Sequence, residues 1–169
     1  MAHSRPTCEP SPATGTTDLA STDMTDHDLD TFWRLTPSTE GREPRVLIRV
    51  FLSPGRLGPA ISTYEALQGV ETDAVFPYPD AGLRLAMVGG FLLIEGDDER
   101  LAPFRATTGT LLVSDLEPYL DRLAEAGATV VHPPVEVPTG TGFTARHADG
   151  TVVEYVQHRP TPEELRVGA

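Results

Sequence analysis

Apolar and polar positions are most clearly ordered between Thr108 and His158. Thr108-Gly-Thr-Leu-Leu-Val is a short apolar run bounded by turn residues, the pattern of a strand. Leu116, Tyr119, Leu120, Leu123 and Ala124 then recur at helical spacing, with Ser114 or Asp115 placed to cap the first turn and Gly127 to stop the last. Thr129 to Val137 is rich in valine but broken by Pro133-Pro134, so it reads as an edge strand or a bend. From Phe143 to Gln157 residues alternate on both sides of Asp149-Gly150, which predicts a hairpin.

The same order of elements occurs earlier. Arg45 to Leu52 alternates Val46, Ile48 and Val50 against Leu47, Arg49 and Phe51, as a strand with two differently used faces does. Ile61, Tyr64 and Leu67 mark a short helix that stops at Gly69. Three strands are predicted next, over Thr72 to Tyr78, Leu83 to Val88 and Phe91 to Glu95, the last two joined at Gly89-Gly90. Arg100 to Thr107 is a connector. Strand, helix and three strands thus occur twice, an internal repeat. Each unit closes on a glutamate after apolar residues, Leu93-Ile94-Glu95 and Val152-Val153-Glu154, and Gly69 precedes Glu95 by almost the interval that separates Gly127 from Glu154. The predicted fold class is α+β: two βαβββ modules whose curved half-sheets face a shared cleft, with Glu95 and Glu154 turned inward.

Residues 1–44 are of another kind. Ser, Thr, Pro and Asp dominate without a sustained apolar period, so this acidic leader is expected to be disordered or loosely docked. Asp28 to Leu35 is the exception, a short amphipathic turn or helix that would dock Phe32, Trp33 and Leu35; Met24 is an alternative start. The expected organisation is a leader over 1–44, a domain over 45–158 with modules 45–97 and 108–158, and a tail over 159–169.

Composition narrows the partners. A net charge of −12 opposes approach to nucleic acid or anionic lipid, and no apolar run has the length of a membrane span. All 13 basic residues are arginine, which we read as codon bias. The single cysteine, Cys8, excludes an internal disulfide, and with no secretory signal pattern the expected location is cytoplasmic.

Three segments carry a family resemblance: Ile61-Ser-Thr-Tyr-Glu-Ala-Leu, the run from Val113-Ser-Asp-Leu to Gly127-Ala, and His147-Ala-Asp-Gly-Thr-Val-Val-Glu-Tyr-Val-Gln. Over about Arg45 to His158 the chain resembles the vicinal oxygen chelate superfamily, which includes type I glyoxalases, bleomycin-resistance-type binding proteins and extradiol dioxygenases. The resemblance implies a homodimer and, in metal-using members, ligands early in the first strand and in the last strand of each unit. Those positions correspond to Arg45, Glu95, Thr108 and Glu154. An arginine has no lone pair to donate, so two carboxylates and a hydroxyl beside a guanidinium make a poor transition-metal set.

Three readings of these residues stay open. Arg45 could offset Glu95 and Glu154 and hold a polar group of a ligand; the trio could be an internal ion pair; or a shifted register could leave a divalent metal site. Around it, Leu47, Arg49, Phe51, Phe91, Leu93, Thr110, Leu112, Val152 and Val156 are expected to face inward, with Phe76 and Tyr78 closing one end. His132 is a further candidate ligand or base, His158 would lie at the rim, and His147 belongs to a turn. The expected function is binding of a small organic ligand without a cofactor. The alternative is a glyoxalase-like lyase or isomerase with Glu95 and Glu154 as metal ligands or acid–base residues.

Overall fold

The computed structural model describes residues 32–33 and 44–158. Its strands are β1 (Phe32–Trp33), β2 (Arg45–Leu52), β3 (Thr72–Tyr78), β4 (Leu83–Val88), β5 (Phe91–Glu95), β6 (Gly109–Val113), β7 (Thr129–Val137), β8 (Gly140–Arg146) and β9 (Val152–His158). Helix α1 (Leu57–Gln68) follows β2, the single turn α2 (Asp98–Leu101) lies in the connector, and α3 (Glu117–Glu125) follows β6. The strand–helix–three-strand repeat is therefore present in both halves.

The strands form one sheet in the order β1-β3-β4-β5-β2-β6-β9-β8-β7. At its centre β2 and β6 run antiparallel, with Leu47 opposite Thr110. Each is flanked on its other side by the last strand of its own module, β5 and β9, in parallel. The antiparallel pairs β3/β4 and β4/β5 extend the first half, and β7/β8 and β8/β9 the second. The halves thus mirror each other across the β2/β6 pair, and the sheet curls into a half-barrel.

Period-2 alternation sorts side chains between the faces. On the outer face α1 packs Leu57 and Ile61 onto Val75, Ala86, Val88 and Leu93. In the second half Leu116, just before α3, packs with Val113, Phe143, Ala145, Val153 and Tyr155, and Tyr119, Leu120 and Leu123 of the helix join them. The inner face of the first half carries its own cluster of Leu47, Phe76, Leu85, Met87, Leu92 and Ile94, closed at one end by Leu101 of α2.

Local chemistry sets the element ends. Gly69 stops α1 in the left-handed conformation, and its N–H donates to Glu65 O at 2.8 Å. Gln68, the last residue of α1, fixes the β4–β5 turn: its amide donates to Val88 O at 3.0 Å and accepts from Gly90 N at 2.9 Å. A Cβ on Gly89 would lie 2.3 Å from that amide oxygen, so a side chain there would displace the contact. In α3 no side chain bonds from the N-cap residue Leu116, but Asp115 accepts from Glu117 N at 3.2 Å.

β7 is the edge strand that its prolines predict. Its register on β8 shifts twice around Pro133-Pro134, and its residues are exposed until Val137. Two expectations change. Phe32 and Trp33 form a strand rather than a helix, paired with Val75 and Ala74 of β3; Leu35 and the rest of the proposed leader lie outside the described residues. And β5 is turned over: Phe91, Leu93 and Glu95 belong to the outer face, because Val50, Leu52 and Val88 are their neighbours in register, while Leu92 and Ile94 point inward. Among the described residues no helix is long and apolar enough to cross a membrane.

Candidate functional site

The inner face of β2, β6 and β9 holds one polar corner. Glu154, in the middle of β9, lies beside Thr110 of β6 in register. Its Oε2 accepts from Arg49 Nη2 at 2.5 Å and from Thr110 Oγ1 at 3.0 Å. Arg49 Nε also donates to Thr110 Oγ1 at 2.9 Å, so the hydroxyl receives from the guanidinium while giving its proton to the carboxylate. The arginine side chain is 4% exposed and the glutamate 20%. Charge pairing and full use of the hydroxyl offset the desolvation that such burial costs. Both bonds fall on Oε2, and Oε1 has no hydrogen-bond partner among the described residues.

This corner forms part of the wall of a small cavity that opens to solvent. Leu47, Leu92 and Leu112 line it beside Thr110 and Glu154; Phe76, Tyr78, Leu85 and Met87 of β3 and β4 form the far wall; Val137, Pro138 and Thr139 of the β7–β8 turn come over from the second half. Apolar walls with a few polar groups are the usual composition of a small-molecule site. The Tyr78 hydroxyl has no hydrogen-bond partner among the described residues, and its ring packs 6.4 Å from that of Phe104. Burial pushes the Tyr78 pKa up, and the negative charges of Glu154 and Asp80 add to the rise, so the hydroxyl keeps its proton.

The residues expected from sequence divide sharply. Leu47, Thr110 and Glu154 line the cavity, and Arg49 lies behind Glu154. Phe51 shares the inner face but packs with the apolar cluster under the Arg105 guanidinium, 5.5 Å from the ring centroid. Arg45 does not meet Glu95 or Glu154. Its guanidinium pairs with the fully buried Asp73 and donates to Gly89 O at 2.5 Å, at the turn end of the first module. Arg45 and Arg49 share a face of β2, but the strand carries only the second to the middle of β9.

Glu95 faces α1 instead of the cleft. Its carboxylate accepts from Leu57 N at 2.6 Å, satisfying an N–H at the helix start, and Arg84 Nη1 lies 3.5 Å away. Phe91 is likewise on the outer face, its ring centroid 4.5 Å from that of Tyr64. Thr108 is exposed, with its hydroxyl on Val152 O at 3.0 Å. His132 is exposed on β7, and neither it nor Val152 lines the cavity. His147 binds through its ring to the Tyr155 hydroxyl at 2.9 Å, rather than to the local backbone. The β7–β8 turn was not expected in the site; Pro138-Thr139-Gly140 reads only as a turn, and which part of the molecule a turn overhangs is a tertiary property.

These positions bear on whether a metal fits. Around Glu154 the inward residues of the other central strands are Arg49 and Leu47 of β2, Leu92 of β5 and Thr110 of β6. That set offers one carboxylate and one hydroxyl, both bonded to a guanidinium, and two leucines. A divalent ion needs three or four lone-pair donors and would lie against the Arg49 charge. Among the described residues no group of three or more His, Cys, Asp or Glu side chains is arranged to hold a metal ion. The donor set does not fit one.

Neither protein-family models nor curated proteins give a match to this chain. Solved structures do. An uncharacterized protein from Methanosarcina mazei is 37% identical, with a TM-score of 0.62 over 72% of this chain and 97% of its own. Methylmalonyl-CoA epimerase from Mycobacterium tuberculosis is 22% identical, with a TM-score of 0.50 over 74% of this chain and 97% of its own, a likeness of fold.

Proposed function

We propose that the chain, which has the fold of methylmalonyl-CoA epimerase, is a member of the vicinal oxygen chelate superfamily whose cleft binds a small organic ligand without a metal ion. The observation that carries this reading is the Arg49–Glu154–Thr110 corner in an otherwise apolar cavity. In this reading the guanidinium supplies the positive charge beside the carboxylate that a metal would otherwise provide. Oε1 and the Tyr78 hydroxyl then orient the ligand, and the leucines, Phe76 and Met87 enclose its apolar body.

The acid–base alternative loses one partner, since Glu95 is held at the start of α1 on the other face of the sheet. Glu154 remains as a polar contact that sequestration or sensing of a ligand would use.

The reading is tested by thermal shift and calorimetry with a library of compounds built on one or two rings, in parallel with elemental analysis after incubation with Ni, Zn, Mn and Fe. Val137→Trp, at the partly exposed turn, fills the cavity mouth without changing the inner wall. The expected result is saturable binding by the parent protein, at least tenfold weaker in Val137→Trp, where ~1.4 kcal/mol corresponds to each factor of ten. No near-stoichiometric metal is expected. One equivalent of tightly held metal abolished by Glu154→Ala, or ligand binding indifferent to the tryptophan, overturns it.

A further inference from the structure

The polar corner also selects the charge of the ligand. This step rests on the proposed binding role and concerns the same cavity. Glu154 lines the cavity and has Oε1 unbonded among the described residues, while Arg49, bonded to Oε2, is far less exposed and does not line it. An incoming anion therefore meets carboxylate lone pairs before it can reach the guanidinium. A cation finds a carboxylate whose charge is already offset by a partner at 2.5 Å, and it would lose its hydration to enter a cavity with mostly apolar walls. A neutral hydroxyl or amide N–H avoids both costs: it donates to Oε1 and leaves the ion pair intact.

Tyr78 adds the complementary group. Tyr78 lines the same cavity, and its hydroxyl has no hydrogen-bond partner among the described residues and feels the charge of Glu154. The cavity thus offers one bare acceptor and one bare hydroxyl on otherwise apolar walls. We infer that its ligand is an uncharged, largely apolar compound bearing a hydroxyl or amide N–H, with that donor on Glu154 Oε1 and a second polar atom of the ligand within reach of Tyr78.

Three probes of one shape separate the possibilities: naphthylmethanol, naphthylmethylamine and naphthoate, which are neutral, cationic and anionic at neutral pH. Calorimetric titration of the full chain is expected to give the tightest binding for the alcohol, with the carboxylate weaker by about tenfold or more, as unpaired buried polar groups penalise a mismatched ligand. Tyr78→Phe, which removes only the hydroxyl, is expected to reduce the alcohol's affinity several-fold. Glu154→Gln frees Arg49 from its counter-charge and is expected to shift the preference toward naphthoate.

If the amine or the carboxylate binds the parent protein as tightly as the alcohol, the assignment of ligand class is overturned while ligand binding itself stands. If none of the probes binds and the wider library gives no ligand either, the binding role fails with it. The probe series on the parent protein decides the question even where Glu154→Gln does not fold.

Discussion

Two arginines on one face of β2 do different work, and the difference lies in what each can reach. Arg49 meets Glu154 and Thr110 across the centre of the sheet, whereas Arg45 meets Asp73 and the carbonyl of Gly89 at the turn end. The sequence shows that an arginine and a glutamate share the cleft, and Arg49 and Thr110 were among the residues expected to face inward. Which arginine meets which carboxylate was not legible, because that depends on strand register. Asp73 gave no signal either; it lies at the irregularity in the β3/β4 pairing between Thr72 and Ala74, where alternation does not fix the face. Asp73→Asn leaves the Arg45 guanidinium buried beside a neutral partner. It is expected to lower stability by about 3–5 kcal/mol, the usual effect of removing one member of a buried pair. Urea denaturation would measure this, and ligand affinity of the folded protein should stay within error of the parent. An equal loss of affinity would mean that the Arg45–Asp73 pair shapes the cleft after all.

Among the elements, β5 shows how a repeat can mislead. The intervals from Gly69 to Glu95 and from Gly127 to Glu154 differ by one residue. In a strand one residue is a change of face, so the two glutamates that look equivalent in sequence point to opposite sides of the sheet. Glu154 entered the cleft and Glu95 became an acceptor for the first N–H of α1, where a carboxylate also suits the helix dipole. Glu95→Ala would leave the fully buried Leu57 without that acceptor. The expected loss is about 1–3 kcal/mol from a buried N–H without a partner, read from the urea midpoint. Ligand binding should be unaffected, and a selective loss of binding with stability unchanged would return Glu95 to the site. Helices and strands themselves were easier to read, since Ile61, Tyr64 and Leu67 or Leu116, Leu120 and Leu123 set the period regardless of what they pack against.

At the scale of the molecule, duplication was legible because the order of elements, and not any single residue, carries it. Two modules whose first strands pair antiparallel form one continuous sheet, and its inner face is enclosed by contributions from both: Leu85 and Met87 from one side, Glu154 and Val137 from the other. The cavity therefore has no counterpart in an isolated half. What the sequence could not supply was the curl that brings the β7–β8 turn opposite Phe76 and Tyr78, since that depends on the whole sheet.

The interruption of β7 by Pro133-Pro134 has a consequence for the protein in a crowded solution. β7 ends the sheet with a valine-rich, exposed strand, the kind of open edge on which further chains can add in register. Proline has no N–H to offer, and the register shifts beside the pair kink the strand away from a straight template. Replacing both prolines with valine would give Thr129 to Val137 seven β-branched residues in nine, with every N–H restored. The double variant is expected to form thioflavin-positive aggregates at concentrations where the parent stays clear, and an unchanged aggregation threshold by light scattering would show that the edge is guarded by something else. On this account the kink in β7 keeps one molecule from becoming the seed of a fibre.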